Sequence, residues 1–105
     1  MKTKCYEKKE LTQKYLDLAR FLRIIGDNNR LKILCLLKDD DLYVEELSLN
    51  LDLAQNLVSS HLKVMIDFGL LVVKQEGKKN YYSINNKIFK KYNSLVNKFL
   101  ENYKR

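Results

Sequence analysis

Residues 54–84, AQNLVSSHLKVMIDFGLLVVKQEGKKNYYSI, constrain the fold more than any other stretch of the chain. Leu57, Val58, His61, Leu62, Met65 and Ile66 recur at helical spacing, which predicts one amphipathic helix over about 54–68 with these side chains turned inward. Gly69 stops it. Leu70–Gln75 and Tyr81–Ile84 are β-branched and aromatic runs joined through Gly77, the pattern of a β-hairpin. The hairpin tip, Glu76-Gly77-Lys78-Lys79-Asn80, is charged.

Upstream, Leu11, Tyr15, Leu18, Leu22 and Ile25 describe one stripe of a helix over 6–25, closed by Gly26. Asp27 or Asn28 caps the next helix, about 28–38. Its Leu31, Ile33, Leu34, Leu36 and Leu37 make it apolar nearly all round, so it is expected at the centre of the core. Asp39-Asp40-Asp41 reads as a solvated turn rather than a Ca²⁺ or Mg²⁺ site, because no further ligands accompany it. A third helix, about 43–50, uses Val44, Leu47 and Leu49, and Leu51-Asp52-Leu53 makes the turn into the fourth. A last helix over 86–103 carries Ile88, Tyr92, Leu95, Val96, Phe99, Leu100 and Tyr103 on one broad face. The order α-α-α-α-β-β-α predicts a mainly α chain with a β-hairpin wing, a winged helix-turn-helix, as a single domain over residues 1–105. The stripes of the first and last helices exceed what a three-helix core covers, which predicts a homodimer. Its seam is expected at Leu11, Tyr15, Leu18, Leu22, Tyr92, Leu95 and Phe99.

The net charge of +7 is unevenly placed. Acidic and basic residues cancel over 1–70, while nine Lys/Arg against Glu76 and Glu101 in 71–105 leave the whole excess there. A basic third beside a neutral remainder suits a polyanion. No apolar run reaches the roughly 18–20 residues of a membrane span. The N-terminus MKTKCYEKKEL lacks the apolar core of a signal peptide, so a cytoplasmic protein with reduced Cys5 and Cys35 is expected. One histidine and two separated cysteines offer no nucleophile–base pair, and no Gly-rich phosphate loop or metal cluster is present, which argues against an enzyme. No cofactor and no metal are expected.

A helix that reads a major groove needs short polar groups on its first turns. Gln55, Asn56, Ser59, Ser60 and Lys63 meet that need. Gln and Asn suit adenine edges, Ser a base edge or phosphate, and Lys63 a phosphate. His61 either touches DNA or, as a partly buried residue, fixes the helix against the hairpin. In the wing, Lys74, Lys78, Lys79 and Asn80 are placed to reach the phosphate backbone or the adjacent minor groove, adding affinity and register. One ring of Tyr81-Tyr82 should pack inward and the other outward.

The runs Leu31-Lys32-Ile33-Leu34-Cys35-Leu36-Leu37, Val44-Glu45-Glu46-Leu47, Gln55 through Lys63, Gly69-Leu70-Leu71 and Glu76 through Ile84 together resemble the ArsR/SmtB family over roughly residues 17–100. The Ser-x-His-Leu-Lys core of the reading helix and the glycine-to-Tyr-Tyr wing are the most specific elements. The resemblance implies a small winged-helix repressor, a homodimer on an imperfect palindrome, and an inducer that releases it. Several positions depart from the pattern. The cysteine-x-cysteine box of metal-sensing members resembles Tyr43-Val44-Glu45 here, with Tyr43 read as a packing residue. The Asp and His ligands of zinc-sensing members have no counterpart in 85–105, where Glu101 alone could ligate. Cys35 stands where a thiol-sensing branch carries a cysteine, but the partner of that branch is missing from the last helix, and Cys5 is the candidate replacement. Two ordinary small residues, Cys35 part-buried, is the competing reading. Ser60 stands where relatives often have Arg, and Ala54 where a hydroxyl cap is usual, which makes Asp52 the candidate cap.

The leading expectation is thus a sequence-specific duplex-DNA-binding repressor acting as a homodimer on a palindromic operator. A repressor responsive to thiol oxidation or persulfide through Cys35 with Cys5 is one alternative. A winged-helix protein-interaction module without specific DNA binding is another.

Overall fold

The computed structural model describes residues 9–101. Its helices are α1 (Lys9–Ile25), α2 (Asn28–Leu37), α3 (Val44–Leu51), α4 (Gln55–Phe68) and α5 (Asn86–Glu101). Its strands are β1 (Leu42–Tyr43), β2 (Leu71–Glu76) and β3 (Lys79–Ile84). The architecture is a winged helix-turn-helix, as the sequence predicts, with one addition. β1 pairs antiparallel with β3, Leu42 opposite Tyr82 and Tyr43 opposite Tyr81, so the wing is a three-stranded sheet of order β1-β3-β2. A two-residue strand carries no periodicity of its own; it forms because it satisfies the free backbone edge of β3.

The element ends follow from local chemistry. Asp27 caps α2, its Oδ1 accepting the Arg30 backbone N–H at 3.1 Å. α4 ends in a Schellman arrangement. Gly69 takes φ +96°, its N–H donates to Ile66 O at 2.9 Å, and Leu70 N–H donates to Met65 O at 2.8 Å. Leu70 and Met65 are both fully buried, which is the apolar contact that accompanies this motif. In the hairpin Glu76 faces Lys79 across a two-residue turn, and Gly77 at φ +61° supplies the positive φ its first position requires.

The core lies where α2, α3 and α4 meet the base of the wing: Ile33, Leu34 and Leu37, Leu47, then Val58, Leu62 and Met65, then Leu70 and Leu71. A second, aromatic part joins the terminal helices to α4. Phe21 of α1 stacks on Tyr92 of α5 at 4.6 Å between ring centroids, and both rings contact Phe68 at the end of α4.

Several sequence expectations need correction. Leu18 and Tyr92, assigned to a dimer seam, are buried in the subunit's own core because α1 and α5 pack on each other. Leu49 is 83% exposed and Leu57 50% exposed, so neither is a core residue. α2 is not apolar all round in effect, since Leu31 and Cys35 are exposed. Asp52 does not cap α4; it sits in the left-handed region at φ 53° and ends α3. The expected helical residues 6–8 and 102–103, Cys5, and the Leu11 side chain lie outside the described residues.

These assignments predict opposite outcomes for residues of one type. Leu47→Ala and Leu62→Ala should each lose about 2–5 kcal/mol of unfolding free energy. Leu49→Ala and Leu57→Ala should stay within about 0.5 kcal/mol of the parent. Urea titration measures all four, and a core-sized loss at Leu49 or Leu57 contradicts the burial described.

Candidate nucleic-acid interface

α4 is held by one apolar side and offers the other. Val58, Leu62 and Met65 are buried, whereas Gln55, Asn56, Ser59, Ser60 and Lys63 are exposed on the outer face. The helix starts at Ala54, whose backbone is extended and whose side chain bonds nothing. The Ala54 carbonyl accepts from Leu57 and Val58 at 3.1 Å each. With no side chain as cap, the first-turn N–H groups of Gln55 and Asn56 point out beside the polar side chains. Ser60 Oγ donates to the Asn56 carbonyl at 3.0 Å, so its hydroxyl is held along the helix rather than projecting freely. The turn from α3 is tied by Leu53 N–H donating to Ser48 O at 3.2 Å and by Ser48 Oγ donating to Leu53 O.

His61 faces away from this outer surface. Its side chain is 19% exposed, and Nδ1 accepts from Arg30 Nε at 3.2 Å, with Asp27 Oδ1 3.9 Å from the same nitrogen. It therefore fixes α4 against the α1–α2 corner and not against the hairpin, the alternative the sequence suggests. Arg30 reaches further, with Nη1 donating to the Ile24 carbonyl in the last turn of α1 at 3.3 Å. Sequence reasoning missed Arg30, and it saw Asp27 only as a cap. The available signal was a lone histidine on the inner side of an otherwise apolar helix, which demands a polar partner. The Asp27 carboxyl titrates below the usual range, chiefly because it accepts the Arg30 backbone N–H; partial burial opposes this, and the Arg30 charge, joined by that of His61 when protonated, adds smaller attractions.

The wing presents Lys74, Lys78, Lys79 and Asn80 at its exposed end. Their situations differ. Lys74 Nζ lies 3.5 Å from Glu76 Oε1. Lys79 Nζ stands 3.9 Å from the centre of the Tyr43 ring, and its pKa is raised, first by the Tyr43 hydroxyl. Lys78, at the turn, has no ion pair among the described residues. Tyr43 also meets Tyr81 edge-on at 5.5 Å, which makes it a packing residue of the wing base. Tyr82 packs on the core. Cys35 is a free, exposed thiol rather than part-buried. Among the described residues no three His, Cys, Asp or Glu side chains gather as a metal site.

The remaining seam candidates form an apolar surface on the terminal helices. Tyr15 and Phe99 meet edge-on at 5.7 Å between α1 and α5. Leu22 is exposed, as are Leu16 and Leu100, two residues outside the predicted set. Leu95 is partly buried.

Comparison with known proteins places this geometry. The family model described as "Bacterial regulatory protein, arsR family" matches residues 27–72, from the Asp27 cap into the wing. An arsenical resistance operon repressor of Staphylococcus aureus is 32% identical over 74 residues, 70% of this chain and 71% of that protein. The transcriptional activator HlyU of Vibrio cholerae serotype O1 is 36% identical over 63 residues, 60% of this chain and 58% of that protein. The solved structure of reduced HlyU from Vibrio cholerae N16961 superposes with a TM-score of 0.71 at 26% identity, covering 92% of this chain and 99% of that one.

The Asp27 cap should be visible in stability against pH. Its folded pKa is depressed, so its contribution is complete above the unfolded value, about 3.9, and is lost as pH falls below it. Asp27→Ala should cost about 1 kcal/mol at pH 7, with the gap to the parent narrowing towards pH 3. A gap independent of pH in denaturant titrations contradicts this.

Proposed function

The chain belongs to the ArsR family of bacterial regulatory proteins, and from that premise we propose that it is a cytoplasmic transcriptional repressor that binds a palindromic operator in duplex DNA as a homodimer. The observation that carries this reading is the outer face of α4. It is polar, short and unobstructed on its first two turns, and it stands beside a wing whose tip cation, Lys78, is unpaired among the described residues. Gln55, Asn56 and Ser59 are proposed to meet base edges. Lys63, the first-turn N–H groups, Lys78 and Asn80 are proposed to meet phosphates. Ser60, bonded along the helix, and His61, turned inward, act mainly by holding that face. Lys74 and Lys79 reach DNA by exchanging Glu76 and the Tyr43 ring for phosphate.

The homodimer reading rests on the apolar side chains of α1 and α5: Leu16, Leu22 and Leu100 are exposed, Tyr15 meets Phe99 edge-on, and Leu95 is partly buried. A two-fold axis there sets two reading helices about one DNA turn, roughly 34 Å, apart. A signal that shifts the terminal helices changes this spacing and releases DNA. No metal and no cofactor enter the proposal. Among the described residues no helix is long and apolar enough to cross a membrane.

Selection from random duplexes should return a palindrome, and it should lie in the chain's own upstream region. Affinity for it should fall with salt, with log–log slope shrinking by nearly two in Lys78→Ala, since each lost phosphate contact contributes about 0.9 and the dimer has two wings. Leu22→Glu should sediment as a monomer and lose the operator. Binding to the upstream fragment no tighter than to random DNA sinks the proposal in favour of a protein-interaction module. Since one relative is named an activator, a reporter downstream of the fragment decides the sign; repression is expected.

The exposure of Cys35 favours a second reading, a thiol-responsive form of the same repressor. The Cys35 thiolate would then attack an S–S bond of a polysulfide, forming a persulfide and expelling a shorter polysulfide; the Cys5 thiolate could displace hydrosulfide from it to close a disulfide, and either product would weaken operator binding. Intact mass should show the adduct, and Cys35→Ser should keep its operator affinity under oxidant. Equal loss of affinity in the parent and in Cys35→Ser removes this reading.

A further inference from the structure

We propose that Arg30 is a positioning residue for operator recognition: through neutral His61 it holds α4 at a fixed setting against the α1–α2 corner, and protonation of His61 releases that hold. The inference rests on the DNA-reading role proposed above. One side chain joins three helices here. Arg30 Nη1 donates to the Ile24 carbonyl of α1, and Nε donates to His61 Nδ1 of α4. The Arg30 backbone N–H is meanwhile held by the α2 cap, Asp27. His61 lies in the same turn of α4 as Ser59 and Ser60, one turn past Asn56 and Leu57. A change in its tether therefore moves the side chains that face the groove.

The tether depends on protonation. As an acceptor at Nδ1, the neutral ring carries its proton on Nε2. The imidazolium has N–H on both nitrogens and accepts nothing, so its Nδ1–H opposes the Arg30 Nε–H, cation against cation. Asp27 Oδ1, already 3.9 Å from that nitrogen, is then the favourable partner. His61 exchanges Arg30 for Asp27, and α4 loses the hydrogen-bonded tether that runs through Arg30 to α1, while the apolar contact of Phe21 with Phe68 remains. Asp27 and Arg30 are the charged groups that face His61. Arg20 of α1 lies over the Phe68 ring instead, and α3 and β2 place no ion pair on His61 among the described residues. On α4 itself Lys63 and Asp67 are exposed on the opposite side of the helix.

Base contacts need the helix placed to a fraction of an ångström, whereas phosphate contacts are tolerant and gain from an added positive charge. Protonation should thus lower the ratio of operator to random-duplex affinity even where total affinity rises. Fluorescence anisotropy with both duplexes, at one salt concentration between about pH 8 and pH 5.5, spans the histidine range. The parent ratio should fall about fivefold or more. His61→Gln offers an acceptor that does not titrate, so its ratio should stay flat. Arg30→Lys should show a low, flat ratio. A parent ratio constant with pH, or one that falls equally in His61→Gln, overturns the inference and leaves the repressor reading standing. No operator preference at pH 8 overturns both. Should the variants not fold, the parent alone decides: His61 is the sole histidine, so imidazole ¹⁵N shifts of untagged protein at pH 8 are unambiguous. The Nε2–H tautomer is expected, and the Nδ1–H tautomer overturns the inference.

Discussion

The packing of Phe21 decides what the rest of the molecule can do. This ring of α1 stacks on Tyr92, leans on Phe68 at 6.4 Å and meets Phe89 edge-on at 6.2 Å, so one residue binds α1 to α5 and both to the end of α4. Aromatic pairs of this kind add about 0.5–1.5 kcal/mol each beyond the area they bury. Arg20 covers Phe68 from outside, and burial raises the Tyr92 phenol pKa, which keeps it neutral. Since a close-packed interior shifts as a block rather than deforming locally, a displacement of the terminal helices reaches α4 through these rings.

α4 is thereby located in two ways. Its apolar side, Val58, Leu62 and Met65, fixes how deep it sits, and apolar contact is tolerant of small rotations. The hydrogen bond from Arg30 to His61 is directional and sets the rotation. Depth from packing and rotation from polar bonds together define where Gln55, Asn56 and Ser59 point. The same division explains why Asp27 matters beyond its own helix. As the cap of α2 it holds the first turn on which Arg30 is carried, and it stands ready beside His61.

Most of the fold was legible in the sequence, and the failures share a cause. Helix periods, Gly69 and Gly77 specified α4 and the wing because each signal is local. β1 was not legible, since two residues have no period and the strand exists only as a partner for β3. Leu57 and Val58 are one residue, about 100°, apart on a helix. Either could border the buried stripe, and only the packed neighbours decide that Val58 enters. Leu18 and Tyr92 looked like seam residues because the stripes are real, but α1 and α5 use part of them on each other. Arg30 and His61 are 31 positions apart, and no spacing rule connects them. For the interface, the sequence supplied the exposed polar face and the wing lysines; which cations are already engaged required coordinates.

That last point changes how the charge acts. The basic third of the chain suggested a wing that grips DNA by its own excess charge. Yet Lys74 stands beside Glu76, and Lys79 lies against the Tyr43 ring, leaving Lys78 as the wing's unpaired cation among the described residues. Lys87, Lys90, Lys91 and Lys98 belong instead to α5 and are exposed there. Charges on a helix apart from the reading face make few direct phosphate contacts, but their field extends about a Debye length, near 8–10 Å at physiological salt. In the proposed DNA complex such charges would speed encounter and hold the protein near the polyanion without selecting a site. In that proposed complex, grip at the wing then depends on a few phosphate contacts, and the choice of sequence falls to an α4 face that carries a single lysine.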